Sequence, residues 1–146
     1  MLFRSTVTTC HLITDVKLTF LSHVNLCHLD DTVRQLNVLK ELTKLYKPGS
    51  CINEINQAAR QLMGDYSKYL IHGVSHHIGL DVHDSIDKFK PFVPGMILTC
   101  EPGIYIREEG IGIRIENDLL ITEGEPINLF EGLPTEVEEI EAAMQR

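Results

Sequence analysis

The spacing of apolar and polar residues changes character along this chain, and each change predicts an element. Over residues 5–20 Thr, Val, Ile and Leu dominate, a composition that favours strands, with a turn expected at 11–15. Asp30-Asp31-Thr32 then offers a helix start. Val33, Leu36, Leu39, Leu42 and Leu45 follow at three-residue intervals, which predicts a helix whose apolar stripe drifts around the axis and is broad. Lys47-Pro48-Gly49 stops it. Ser50 is placed to cap a second helix, in which Ile52, Ile55, Ala59 and Leu62 share a face and which Gly64 ends.

Past residue 70 the pattern turns to apolar runs and alternation. Strands are predicted over 72–84, 96–106 and 111–121, with Pro91, Pro94-Gly95 and Glu108-Glu109-Gly110 as punctuation. A last helix is expected from Thr135, where Thr135-Glu136-Val137-Glu138 fits a capping box and Val137, Ile140 and Met144 make a packing stripe. No internal repeat is visible. At 146 residues the chain can bury a core yet is too short for two ordinary domains.

Composition narrows the partners. A formal charge of −8, with much of the acid near the C-terminus, argues against a nucleic-acid surface. No apolar run nears the roughly 18 residues of a membrane span, and the opening MLFRSTVTTC lacks a secretory core. Cys10, Cys27, Cys51 and Cys100 are scattered, with no C-x-x-C pair. That suggests neither a zinc knuckle nor a disulfide framework and makes the cytoplasm the expected compartment.

The candidate chemistry lies within 72–118. Ionisable groups among apolar runs are costly unless they have a partner, and several occur here. Glu101 directly follows the apolar run Met96-Ile97-Leu98-Thr99-Cys100, and Glu116 ends the alternation Ile113-Arg114-Ile115-Glu116, in which Arg114 and Glu116 share one face. His72 and His76 are four apart and so share a face of either element. The zincin reading of that spacing fails, because no Glu follows His72 and glycines interrupt any helix. Two carboxylates and an imidazole brought together suit a divalent cation. Arg114 is alternatively a salt-bridge partner for either glutamate, and His77 reads as structural or exposed.

Three motifs in order, HGVSHHIGLDVHD, EPGIYI and GIRIEND, resemble the catalytic domain of the Xaa-Pro aminopeptidase (aminopeptidase P) family of pita-bread metallopeptidases. The resemblance runs from about Leu36 to the end and leaves residues 1–35 outside it. It implies an α+β fold: part of a pita-bread domain, a curved antiparallel sheet with helices on its outer face. The chain then reads as a single domain over 1–146, truncated at its N-terminus. The family's metal ligands map onto His76, Glu101 and Glu116, with Asp15 as a candidate for one of two upstream aspartates. Arg4 stands where the other would fall, and the link from Gly64 to His72 is shorter than the family's. His72, His83, Glu101 and Arg114 are implied as catalytic groups. The implied cofactor is a divalent metal, Mn²⁺ first, with Co²⁺, Zn²⁺ or Fe²⁺ as competitors. The implied substrate is a peptide with proline in second position, from which the first residue is released. Homo-oligomerisation is left open. The alternative is a catalytically inactive pita-bread domain that binds peptides or proteins.

Overall fold

The computed structural model describes residues 7–9, 19–21, 26–84 and 87–144. Arg4, Asp15 and the turn expected at 11–15 lie outside the described residues. Strands β1 (Val7–Thr9) and β2 (Thr19–Leu21) pair antiparallel.

Helix α1 (Leu26–Thr43) begins before the predicted Asp30. Leu36, Leu39 and Leu42 are buried as expected, whereas Val33 and Leu45 are exposed. Each three-residue step falls about 60° short of a full turn, so five such positions cannot share a face. Gln35, Val38 and, just beyond the helix, Tyr46 complete the inward surface. In α2 (Ile52–Met63) the N-cap is Cys51 rather than Ser50, and the Glu54 carboxylate accepts the Cys51 N–H at 3.1 Å. The Ser50 carbonyl instead accepts the Phe92 N–H at 2.7 Å. Ile52, Ile55 and Ala59 are buried, but the next inward position is Met63, while Leu62 faces out. Gly64, at φ +54°, ends the helix by donating to the carbonyls of Arg60 and Gln61. A 3₁₀ stretch follows over Gly64–Tyr69.

The strand predicted over 72–84 does not form as such. Its one ladder pair is His77 with Leu98. The segment still lies antiparallel beside β3 (Ile97–Cys100): the N–H groups of Glu101 and Thr99 donate to the carbonyls of Val74 and His76, each at 2.9 Å, and that of Ile78 donates to Ile97 at 3.1 Å. Past residue 78 it turns away.

The strands predicted over 96–106 and 111–121 form, but each is interrupted once. Strand β3 is followed by β4 (Gly103–Ile106), and β5 (Ile111–Arg114) by β6 (Asn117–Leu120). The first break falls at Glu101-Pro102, where proline offers no N–H to a ladder. The second falls opposite it, at Ile115-Glu116. Strands β3 and β6 pair with Cys100 opposite Asn117; β4 and β5 pair with Gly103 opposite Arg114. The register is the same on both sides of the gap, so Glu101 stands opposite Glu116. From Ile111 to Ile121 burial alternates without a slip, the odd positions buried and the even ones half-buried. The chain therefore keeps its parity through the break.

Leu98, Cys100, Ile104, Ile113 and Leu119 fall on the buried parity, and α1 packs against β3 and β5. Tyr46 stacks on Phe92, with centroids 5.7 Å apart, and its hydroxyl donates to the Thr99 carbonyl at 2.9 Å. Strand β7 (Ile127–Asn128) adds to β6. Helix α3 (Val137–Met144) starts two residues past the expected Thr135; Ile140 is buried and Val137 half-buried. Glu136, just before α3, pairs with Lys40 of α1 at 2.6 Å. No helix among the described residues is long and apolar enough to cross a membrane.

Candidate metal centre

The opposite parity of the same strands carries the polar groups. Thr99, Glu101, Gly103 and Tyr105 alternate along one path; Asp118, Glu116, Arg114 and Gly112 stand opposite them in the shared register. His76 comes from the neighbouring segment, tied beside Thr99 by its carbonyl and by its own N–H, which donates to Thr99 Oγ1 at 3.0 Å. The outcome is convergence. One donor atom each of His76, Glu101 and Glu116 lie within 4.8 Å of one another, with His76 and Glu101 buried and Glu116 half-buried.

Hydrogen bonding fixes how each group faces the others. His76 Nδ1 lies 3.0 Å from the His77 carbonyl. A carbonyl only accepts, so Nδ1 carries a proton, and in the neutral ring the Nε2 lone pair points out, 3.4 Å from Glu101 Oε1. Metal-bound histidines commonly show this arrangement, one nitrogen donating to a carbonyl and the other free to ligate. The Thr99 hydroxyl donates to the same Glu101 oxygen at 3.3 Å. Arg114 lies between the carboxylates, its NH1 3.7 Å from Glu101 Oε2 and its Nε 3.8 Å from Glu116 Oε2. That Nε is buried and makes no hydrogen bond.

Like charges directly opposite on a sheet are destabilising, and a lone pair facing a carboxylate adds to the repulsion. The Arg114 guanidinium sits within 4 Å of both carboxylates, and the Thr99 hydroxyl donates to Glu101. A divalent ion suits the set, since hard carboxylate oxygens plus one imidazole are its usual donors. Bonds of about 2.0–2.2 Å to a central ion are within reach of small side-chain rotations. The residues present fit one such ion.

The remaining sequence candidates are distributed around this cluster. His83 is exposed, its ring against that of His76 at a 4.2 Å centroid distance and 30° tilt. His72 is half-buried, with Nδ1 2.7 Å from the Gly73 carbonyl and Nε2 3.0 Å from the Tyr105 hydroxyl. Both its ring nitrogens are engaged within the protein. His77 is half-buried beside Lys90 and Asp84, and burial, helped by Lys90, holds its pKa below the usual imidazole value. Asp15 lies outside the described residues.

Three polar side chains of this face escaped the motif reading: Thr99, Tyr105 and Asp118. Parity was the available signal: counting by twos from Glu101 reaches Thr99 and Tyr105, and from Glu116 reaches Asp118. Burial raises the Tyr105 pKa, opposed by the neighbouring Arg114. On the other parity, burial pushes the Cys100 thiol up to about 12.

One imidazole and two carboxylates converging on a sheet face of an α+β domain make a donor set suited to a divalent metal ion. The family model of metallopeptidase family M24 matches residues 1–123, including the first 35, which the motifs did not reach. The chain belongs to that family. It is 36% identical over 141 residues to the Xaa-Pro aminopeptidase of Escherichia coli K12, covering 75% of this chain and 32% of that protein. It is 37% identical over 139 residues to the mitochondrial intermediate cleaving peptidase 55 of Arabidopsis thaliana, covering 80% of this chain and 28% of the relative. Among solved structures, zinc-substituted E. coli aminopeptidase P in complex with product superposes with a TM-score of 0.81 at 31% identity, over 90% of this chain and 38% of that one. The prolidase of Pyrococcus horikoshii OT3 gives a TM-score of 0.68 at 30% identity, over 76% and 33%. The chain thus spans about a third of the length of these relatives, and its fold is the corresponding part of the α+β pita-bread fold.

Proposed function

We propose that this chain carries one side of the active site of a metal-dependent aminopeptidase that releases the first residue of peptides with proline in second position. The observation behind this reading is the convergence of His76, Glu101 and Glu116 on one sheet face. These three would hold the metal, with Mn²⁺ first and Co²⁺, Zn²⁺ or Fe²⁺ as competitors; Asp15 is a further proposed ligand. A bound divalent ion lowers the pKa of water and polarises the scissile carbonyl.

The chain's own groups do the rest. Glu101 accepts and passes on the proton at a carboxylate oxygen that Thr99 orients. Arg114 keeps the two carboxylates apart and correctly turned. His83, exposed beside His76, donates a hydrogen bond to the peptide carbonyl as charge develops. His72, with both nitrogens engaged, borders the site with its ring, so the hydrogen bond expected of it from sequence falls to His83 alone. Proline has no amide hydrogen, and its recognition therefore depends on shape. We further propose a single domain over 1–146 in a reducing, cytoplasmic compartment, consistent with the free, buried Cys51 and Cys100.

A second reading, an inactive domain that binds peptides or proteins, draws support from Arg4, the residue standing where the resemblance would have an aspartate. One experiment separates the two: purified chain loaded with Mn²⁺ is incubated with an Xaa-Pro peptide. Release of the first residue, lost on Glu101→Gln, supports the peptidase. Peptide binding without cleavage supports the module.

A further inference from the structure

We propose that Tyr105 is a positioning residue of this site: its hydroxyl holds the His72 imidazole in the Nδ1-protonated form beside Arg114, which lies between Glu101 and Glu116. The inference deepens the proposed function, on which it rests only in taking His72 as a border of the site.

The proton on His72 can be placed by elimination. Nδ1 lies 2.7 Å from the Gly73 carbonyl, which can only accept, so Nδ1 carries the hydrogen. In the neutral ring Nε2 is then a lone pair, and the Tyr105 hydroxyl 3.0 Å away donates to it. The two rings meet edge to face, with centroids 5.3 Å apart at 70°. Arg114 neighbours Tyr105 on the same face and opposes the rise that burial gives its pKa, so histidine, phenol and guanidinium lie together on the polar face.

Two glycines make room for this pair. Gly112 stands opposite Tyr105 in the ladder, and a Cβ there would meet Tyr105 Cδ1 at 3.2 Å. At Gly103 a Cβ would come within 3.0 Å of His72 Nε2 and 3.2 Å of the Tyr105 hydroxyl. Neither glycine has a positive φ. Space for the tyrosine–histidine contact, rather than backbone conformation, accounts for both. Parity adds a third point: Tyr105 shares the face of Glu101 and Arg114, so its placement follows from the same register that assembles the metal ligands.

The test reads the imidazole itself and needs no turnover. The chain is labelled with ¹⁵N-histidine, and long-range ¹H–¹⁵N spectra are recorded at a pH where imidazole is neutral, with His72→Gln assigning the His72 signals. The wild type should show a single Nδ1–H tautomer with Nε2 shifted upfield as a hydrogen-bond acceptor. Tyr105→Phe should mix in the Nε2–H form, which moves the averaged Nε2 signal further upfield, toward a protonated nitrogen, and the Nδ1 signal downfield. Gly112→Ala, which keeps the hydroxyl but displaces the ring, should shift both the same way by less. An Nε2–H tautomer in the wild type, or an unchanged His72 pattern in Tyr105→Phe, overturns the proposal. If Tyr105→Phe does not fold, the wild-type tautomer and the Gly112→Ala spectrum decide. Absence of peptidase activity in the wild type would count against the proposed function and leave this result standing.

Discussion

The strands β3 to β6 present two faces that share a backbone and differ in almost everything else. On the helix side Leu98, Ile104, Ile113 and Leu119 are buried in one continuous core with residues of α1 and α2. On the other side Glu101 and Glu116 stand opposite each other, His76 turns a lone pair toward them, and Arg114 answers from nearly 4 Å. The first face is where burial of apolar area stabilises the domain. The second sets two carboxylates across the ladder, and like charges so placed oppose stability. Fold and chemistry are thus carried by alternate residues of the same strands, and substitutions should separate the two.

The largest effect is expected on the core side. Ile104→Ala should lower stability by about 2–5 kcal/mol, read as a fall in the urea midpoint at constant slope. A loss well under 1 kcal/mol would mean that the helix face is not tightly packed at this point, and the contrast would weaken.

Next comes cation binding. The chain should hold one Mn²⁺ ion, and Glu116→Gln should weaken it by more than about 100-fold, since changes even in groups that only support a ligand cost 10–100-fold. Calorimetry gives the answer. Two tight ions in the wild type, or an unchanged isotherm in the variant, would contradict the assignment of the polar face.

A third effect returns to the buried parity. Burial holds the Cys100 pKa at about 12 against an ordinary 9.0. The folded state thus retains a proton that the unfolded state releases. The contribution is complete below pH 9 and declines as pH climbs toward 12, by up to roughly 1.4 kcal/mol per unit. Between pH 9 and 10.5 the wild type should lose stability more steeply than Cys100→Ala; parallel curves would show that the thiol is not so buried.

The smallest effect sharpens the comparison most. Without metal, Glu116→Gln should raise stability by about 0.2–1 kcal/mol, because it removes one of two like charges set directly across the ladder. Destabilisation would show that Arg114 already balances the pair.

Much of this was legible in the residues, for reasons that differ by element. Alternation along Ile113-Arg114-Ile115-Glu116 reports which side chains share a face whether or not ladder hydrogen bonds form, so the site parity survived the breaks. The interruption itself follows from Pro102, which motif matching treats as a conserved-looking letter rather than as a missing donor. The segment 72–84 misled for the opposite reason. Its apolar residues resemble a strand, but Gly73 and Gly79 bound the stretch that can lie beside β3, and pairing is restricted to 74–78. The caps were close contests between neighbours: Cys51 over Ser50, Met63 over Leu62. Such one-residue choices are settled by tertiary packing, which local pattern does not contain.

The hairpin turn between β4 and β5, a 3₁₀ turn over Arg107–Glu109 closed by Gly110 at φ +67°, sets the register that puts Glu101 across from Glu116. In the lineage of this domain, that makes chain length here a digital variable. One added residue that slid the pairing by a single step would send Arg114 and Glu116 into the helices and bring Ile115 out. Insertions survive if they loop out as a bulge or come as a pair. The turn is a ruler for the site, graduated in twos.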